Sequence, residues 1–190
     1  TIAPRLRWIR DVVYRRQRVE LDDGDFIDVD WSAKKRDRLV IIVHGLDGNS
    51  GLTYMLSTIS SFNRAGWDAL ACNMRGFSGE VNRMAGFYNA GLSSDLESVI
   101  QHAIDTHQYE QIVLVGFSLG GNLVLKYLGE KGANTPAALS AAATFSVPCD
   151  LADSARAIHR RRNAFYLFKF ILDLRNKVRQ KAAVYPGLID

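Results

Sequence analysis

The sequence has little cysteine, little histidine and no long apolar run, and each shortage excludes a class of protein. Its two cysteines, Cys72 and Cys149, are too few for a disulfide scaffold, and their separation matches no zinc-ligand pattern. The longest purely aliphatic run, residues 39–43, is far below the ~18 residues that a membrane span needs. The first ten residues carry charges where a secretory signal needs an apolar stretch. We therefore expect a soluble protein in a reducing, cytoplasmic setting.

The chain carries a formal net charge of only +4, and the basic residues are concentrated in one stretch. Residues 156–181 contain nine basic residues and one acidic residue, Asp173. Because the rest of the chain is not basic, we expect no nucleic acid partner. Two interpretations of the stretch stay open. Its apolar stripe packs over the core as part of a lid with a solvated basic face, or Arg160–Arg162 and the lysines contact anionic lipid headgroups while residues 165–171 face acyl chains.

Four short apolar runs alternate with amphipathic helical stretches, which is typical of βαβ units. The runs are LVIIV (39–43), WDALACNMRG (67–76), QIVLVG (111–116) and LSAAATFSVP (139–148). We expect them to form buried strands of a mostly parallel sheet with helices on both faces. Ahead of them, residues 18–31 predict a hairpin that turns at Asp22-Asp23-Gly24 and adds antiparallel strands at one edge. The fold class is therefore α/β.

The 190 residues are enough for one sizeable core and too few for two independent domains. The alternation of strands and helices stops at residue 151, where a helical segment takes over. We therefore assign residues 1–150 to the α/β core and residues 151–190 to the start of a helical cap. Within the core, the stretch SDLESVIQHAIDTH (94–107) opens with a serine that we expect to cap its helix.

The segment Gly116-Phe117-Ser118-Leu119-Gly120 matches the pattern Gly-x-Ser-x-Gly and lies between a predicted strand and a predicted helix. So sharp a turn forces the serine into a strained conformation and requires flanking residues without side chains. The start of the helix offers unpaired N–H groups and a positive dipole end to a developing oxyanion. The pattern predicts Ser118 as a nucleophile and the Leu119 N–H as an oxyanion donor. The alternative is a tight turn with an incidental serine.

A second oxyanion donor is expected from the loop after the first buried strand, which reads VHGLDGNS. Gly45 lets the chain turn back over the sheet, so that the Leu46 amide points toward Ser118. Two roles are open for His44 in this loop. It is the general base, or it binds the loop backbone and holds its shape.

Several motifs together carry a family resemblance: HGLDGNSGLTYM, NMRGFSGEVNR, a helix opening SDL, and LVGFSLGGNLVLKYLGE. This combination resembles the α/β-hydrolase superfamily, specifically its YheT-like esterase branch, from about Arg18 to Asp150. The resemblance implies that Ser118 is the nucleophile and that Leu46 and Leu119 supply the oxyanion hole. It also implies an acid and a histidine after the serine in chain order, following two later strands, and a helical cap that begins after Asp150.

The histidines of this chain depart from that pattern. Only His159 follows Ser118, and it lies in a basic segment with no strand before it, which favours a solvated or lid-packing residue. His102 and His107 precede the third buried strand and therefore point away from the chemistry. Asp150 follows the fourth strand and is a candidate acid, or the cap of the next helix.

We therefore expect the chain to be the N-terminal part of the fold, incomplete at its C-terminus, with the catalytic histidine beyond residue 190. Without that base, activity should fall by roughly 10⁶. The expected function of the whole protein is that of a serine carboxylesterase acting on small acyl esters, which include lipid esters, through an acyl-enzyme without a metal or cofactor. Thioesterase and acyltransferase chemistry use the same machinery, and a noncatalytic binding protein is the alternative from another class.

Arg75 is expected to hold a loop by ion pairing rather than to act as a catalytic cation.

Overall fold

The computed structural model describes residues 11–187 as a six-stranded sheet with helices on both faces. The strands are β1 (Arg15–Glu20), β2 (Phe26–Ser32), β3 (Arg38–Val43), β4 (Asp68–Asn73), β5 (Gln111–Phe117) and β6 (Leu139–Phe145). The helices are α1 (Thr53–Arg64), α2 (Ser93–Thr106), α3 (Leu119–Lys131), α4 (Leu151–Ile158) and α5 (Ala164–Val184). Short 3₁₀ turns lie at Gly132–Asn134 and Arg161–Asn163.

The strand order is β1-β2-β4-β3-β5-β6. The strands β4, β3, β5 and β6 are parallel, whereas β1 and β2 form an antiparallel hairpin and β2 pairs antiparallel with β4. The hairpin turn is closed by two backbone hydrogen bonds of 2.9 Å, Leu21 N–H to Asp25 C=O and Gly24 N–H to Leu21 C=O. Gly24 adopts a φ of 84°, which a glycine tolerates without strain. The predicted fold class, including the N-terminal hairpin, is confirmed.

The central strand β3 is buried on both faces, which explains its uninterrupted apolar sequence. Leu39, Ile41 and Val43 pack on the face covered by α2 and α3. Val40 and Ile42 pack on the opposite face, against Met55 and Ile59 of α1. Because side chains alternate between the faces of a strand, a sheet covered on both sides needs an apolar residue at every position.

Two sequence expectations about the core were wrong. Strand β6 is not buried: residues 140–143 are exposed and Phe145 is 51% exposed. Within residues 11–187 this strand lies at the edge of the sheet and pairs only with β5, so its small side chains have no second neighbour. The helix α2 begins at Ser93, so Ser94 lies inside it, and its first turn has no side-chain cap. Ser93 instead donates its hydroxyl proton to Glu130 of α3.

Only part of the lid interpretation agrees with the structure: the basic residues of 156–181 other than Lys177 and Lys181 are exposed, as expected, but the apolar stripe of α5 does not pack over the core. Phe165, Phe168 and Ile171 are exposed, whereas Lys177 is half-buried and Lys181 is completely buried. The lysines of α5 contact loop carbonyls and a carboxylate, which require hydrogen-bond donors, and Lys177 and Lys181 also lie over the rings of Phe77 and Phe87. Across the described range, no helix combines the length and the hydropathy that crossing a membrane requires.

Candidate active site

Ser118 occupies the turn that joins β5 to α3. Its φ and ψ are 50° and −118°, a combination that costs strain in any residue with a side chain, and the residue is exposed. Its N–H donates to the carbonyl of Phe145 at 2.8 Å, and its carbonyl accepts from the Asn122 N–H at 3.1 Å. The turn is therefore held by β6 on one side and by the first turn of α3 on the other.

The glycines around Ser118 are required by close backbone contacts. A Cβ atom on Gly116 would lie 2.5 Å from the Cα of Gly121. A Cβ atom on Gly120 would lie 2.4 Å from the carbonyl oxygen of His44 and 2.5 Å from that of Val43. These distances are far below van der Waals contact, so no other residue fits at these positions. The start of α3 therefore lies directly against the end of β3.

This contact brings the β3–α1 loop (residues 44–52) beside the serine. A Cβ atom on Gly45 would lie 3.1 Å from the Cβ and 3.8 Å from the Oγ of Ser118. The Gly45 N–H donates to the hydroxyl of Tyr54 at 3.2 Å. The next amide in the loop, that of Leu46, and the amide of Leu119 donate to no group within residues 11–187. Two N–H groups on the two segments that meet at Ser118 are thus available, and their role as oxyanion donors stays a prediction.

His44 holds this loop in place. Its Nδ1 lies 2.7 Å from the carbonyl oxygen of Gly45, and its Nε2 lies 3.1 Å from the backbone nitrogen of Met74. A carbonyl partner requires the proton on Nδ1, and an amide partner requires the lone pair on Nε2, so these contacts assign the neutral tautomer. Burial lowers the pKa of His44 from its ordinary 6.5 to about 4. With both nitrogens engaged, His44 does not serve as a base for Ser118.

Further residues that sequence reasoning missed complete the support of the loop. The Tyr88 hydroxyl donates to the carbonyl of His44 at 3.2 Å. At the other end of the loop, the Ser50 hydroxyl donates to Asp30 at 2.6 Å, and the Ser50 N–H donates to the side-chain oxygen of Asn73 at 2.9 Å. The sequence signal for this support is the presence of Asp30 and Asn73 within two strands of the sheet, since buried polar side chains need partners.

The other three histidines do not contact Ser118. His107 precedes β5 and packs edge-on against Trp31, at the opposite end of the strand from the serine. His102 lies on α2, and its nearest side-chain partner is Thr106. His159 is exposed and bonds the carbonyl of Ala155 at 2.8 Å. Among the residues that the structure describes, Ser118 therefore has no histidine partner.

Asp150 has the capping role that was the alternative to a catalytic acid. Its side chain accepts the N–H of Asp153 at 2.8 Å and so satisfies an amide in the first turn of α4. The residue is exposed.

Arg75 is a buried ion-pair partner, as the sequence predicted. Its guanidinium makes two parallel hydrogen bonds of 2.6 Å to Asp95 and further contacts of 2.5 Å to Asp23 and 3.2 Å to Asp25. These contacts fasten the end of β4 to α2 and to the hairpin turn. Hydrogen bonding to Asp95 raises the pKa of Arg75, so its charge is permanent.

Cys72 is buried in the core, as expected, and burial raises the pKa of its thiol. Residues 11–187 contain no group of three or more His, Cys, Asp or Glu side chains placed to hold a metal ion.

The sheet order, the Gly-x-Ser-x-Gly turn after β5 and the adjacent loop after β3 define an α/β hydrolase. The family described as having the alpha/beta hydrolase fold matches residues 38–183, and the chain belongs to that family. YheT of Escherichia coli (strain K12), which carries a provisional esterase name, is 31% identical over this whole chain and 56% of its own length. The phospholipase ABHD3 of Mus musculus is 30% identical over 94% of this chain and 46% of its own length. The resemblance to the YheT-like branch is thus confirmed.

Among solved structures, the esterase Pf2001 of Pyrococcus furiosus superposes with a TM-score of 0.66 and 19% identity. The match covers 84% of this chain and 62% of that esterase. At this identity the similarity demonstrates the shared fold. The chain spans about half the length of the curated relatives it matches.

Proposed function

We propose that the protein is a serine hydrolase that cleaves the carboxylic ester bond of acyl esters, with Ser118 as the nucleophile. The observation that carries the proposal is the exposed, strained Ser118 at the β5–α3 turn. Its Oγ faces the β3–α1 loop so closely that a Cβ atom on Gly45 would lie only 3.8 Å from it. The names of the relatives support the ester class. Besides the phospholipase, they include a medium-chain fatty acid ethyl ester synthase/esterase of Saccharomyces cerevisiae, 30% identical over 81% of this chain.

We infer a two-step reaction through an acyl-enzyme, which the position of Ser118 beside the two amides supports. The Ser118 Oγ attacks the ester carbonyl while a base takes its proton, and the carbonyl oxygen becomes an oxyanion. The Leu46 and Leu119 amides then donate to that oxyanion, and the N-terminal end of α3 adds its positive dipole. The alkoxide leaves with a proton, and water hydrolyses the acyl-enzyme in a second round. Each preorganised donor typically contributes about 10² to 10³ in rate, provided that the donor loop is rigid.

The proposal needs a base that residues 11–187 do not supply. His44 is committed to backbone partners, and the remaining histidines do not reach Ser118. The family resemblance places the acid and the histidine after two further strands. We therefore expect the whole protein to be active and the 190-residue segment on its own to be slower by roughly 10⁶.

Labelling of the whole protein with a fluorophosphonate probe tests this function. Ser118→Ala should abolish labelling and ester hydrolysis. Ser146→Ala is the matched control, because Ser146 is an exposed serine just after the neighbouring strand β6, and labelling should persist in it. Labelling that survives Ser118→Ala would sink the nucleophile assignment. A whole protein that neither reacts with the probe nor hydrolyses esters would support the noncatalytic alternative. Product analysis with and without an alcohol acceptor separates hydrolysis from acyl transfer.

A peripheral contact with anionic membranes forms the second part of the proposal. Its support is the exposed aromatic pair Phe165 and Phe168, 75% and 62% exposed, next to the exposed Arg160–Arg162. Because Lys177 and Lys181 face the protein and Lys169 pairs with Asp173, we assign the contact to Arg160–Arg162. Sedimentation with vesicles containing phosphatidylserine should carry down the protein, and replacement of the three arginines by glutamine should prevent this. Equal sedimentation with neutral vesicles would exclude the electrostatic contact.

A further inference from the structure

Two lysines of α5, Lys177 and Lys181, face the protein, and a third, Lys169, is exposed, pairs with Asp173 of the same helix and also reaches a loop near Ser118. The Lys169 Nζ lies 3.5 Å from the carboxylate of Asp47, which is in the β3–α1 loop. The Lys177 Nζ donates to the carbonyl of Gly76 at 2.8 Å. Lys181 follows one turn later and is the only one of the three that is completely buried. The helix therefore contacts both the β3–α1 loop and the β4–α2 loop (residues 74–92).

The ammonium group of Lys181 is enclosed by acceptors from one short segment. It donates to the side-chain oxygen of Asn82 at 2.8 Å, to the carbonyl of Gly86 at 3.3 Å and to the carbonyl of Met84. It also lies 4.4 Å from the centre of the Phe87 ring. An ammonium has three donors, and all three are used here, so its burial is compensated. Lys181 thus anchors residues 82–87 to α5.

The same β4–α2 loop supports His44 at two points. Met74, at its start, donates its N–H to the His44 ring, and Tyr88 donates its hydroxyl to the His44 carbonyl. Tyr88 directly follows the segment that Lys181 binds. A continuous set of hydrogen bonds and packed backbone therefore links Lys181 through Tyr88 and His44 to the Gly45 and Leu46 amides.

We propose that Lys181 is a positioning residue of the active site, which anchors the β4–α2 loop to α5 and thereby holds the Leu46 amide at its distance from Ser118. The proposal rests on the proposed hydrolase function. Lys181 contacts loop residues around Asn82 and not the serine, so its removal should lower kcat and leave KM nearly unchanged. A misplacement of about 1 Å can cost a rate factor near 10². Because Tyr54 still holds Gly45, we expect a smaller loss of about 10-fold in kcat.

Lys181→Met in the whole protein removes the ammonium and keeps most of the side-chain volume. Arg179→Met is the matched control, because it removes one positive charge from an exposed position of the same helix. Lys181→Met should lower kcat about 10-fold with KM changed by less than 2-fold, whereas Arg179→Met should leave both unchanged. Propylammonium replaces the lost atoms in Lys181→Ala and should restore kcat, whereas an equal concentration of sodium chloride should not.

Amide hydrogen exchange keeps the test independent of catalysis. In Lys181→Met, residues 44–52 and 74–92 should exchange faster, while residues 111–117 of the central strand β5 stay protected. Unchanged exchange in both loops, or an unchanged kcat, would overturn the positioning role even if Ser118 is the nucleophile. If Lys181→Met does not fold, Tyr88→Phe interrupts the same path by removing one hydroxyl, and it must show the same split between kcat and KM. If the wild-type protein is inactive but both loops exchange faster in Lys181→Met, the hydrolase function is refuted and the anchoring of the β4–α2 loop by Lys181 is supported.

Discussion

The buried imidazole of His44 should make the stability of this fold depend on pH between about 4 and 6.5. In the folded protein the ring is neutral, because it is fully buried and its Nε2 lone pair accepts the Met74 N–H. In the unfolded chain the same ring takes up a proton below its ordinary pKa of 6.5. The unfolded state therefore binds more protons over this range, and the free energy of unfolding decreases as the pH falls. The contribution is complete above pH 6.5 and is lost progressively toward pH 4.

The size of the effect follows from the two pKa values. The folded-state value of about 4 lies two to three units below the ordinary 6.5, and each pKa unit corresponds to about 1.4 kcal/mol, so the whole contribution is about 3 kcal/mol. Between pH 7.5 and 4.5, most of this, about 2 to 3 kcal/mol, should be lost, and the rest is lost below pH 4.5 because that pH is still above the folded-state pKa. A typical domain has a free energy of unfolding of only about 5 to 15 kcal/mol, so the change is large enough to measure.

Urea unfolding followed by tryptophan fluorescence measures this change, with Trp31 in the core as one reporter. His44→Gln keeps an acceptor for Met74 but does not titrate, and the carboxylates titrate alike in both proteins. Wild type should lose about 2 to 3 kcal/mol more than His44→Gln between pH 7.5 and 4.5. His159→Gln is the control at an exposed histidine and should behave like wild type. Equal losses in wild type and His44→Gln would refute the neutral, buried state of His44.

Two further predictions concern the turn at the nucleophile and the start of α4. Gly120→Ala should destabilise the protein by about 3 kcal/mol or prevent folding, because its Cβ would lie 2.5 Å from the carbonyl oxygen of Val43. Gly129→Ala in the same helix has open space and should stabilise the protein by about 0.5 to 1 kcal/mol, as thermal unfolding can measure. Asp150→Ala should cost about 1 kcal/mol through loss of the cap to the Asp153 N–H, with kcat retained. A loss of kcat by several orders of magnitude would instead identify Asp150 as the catalytic acid.

Much of the fold could be predicted from the sequence, because its determinants are local. The run LVIIV has an apolar residue at every position, and only a strand covered on both faces accommodates this pattern. The turn at Gly24 and the Gly-x-Ser-x-Gly segment each specify backbone angles that few other residues tolerate. For the same reason, the position of Ser118 between a strand and a helix was evident before the structure.

Contacts between distant segments decided the rest. An amphipathic pattern shows that two faces of α5 differ, but it does not show what lies beneath them. Only the structure placed loop carbonyls under Lys181 and left Phe165 exposed. Similarly, the sequence of β6 resembles that of a buried strand, and its exposure depends on which strands pair with it.

The α/β class and the serine turn can be predicted from the sequence alone, because the patterns of strand burial and turn geometry are set by residues that are neighbours in the chain. The role of His44 as a neutral support for the β3–α1 loop rather than a base depends on the fold. One of its ring partners is the carbonyl of the adjacent Gly45, and the other is the N–H of Met74, which lies 30 residues later in the chain. Hydrogen-bond partners determine what a polar side chain does, and the fold rather than the local sequence supplies those partners.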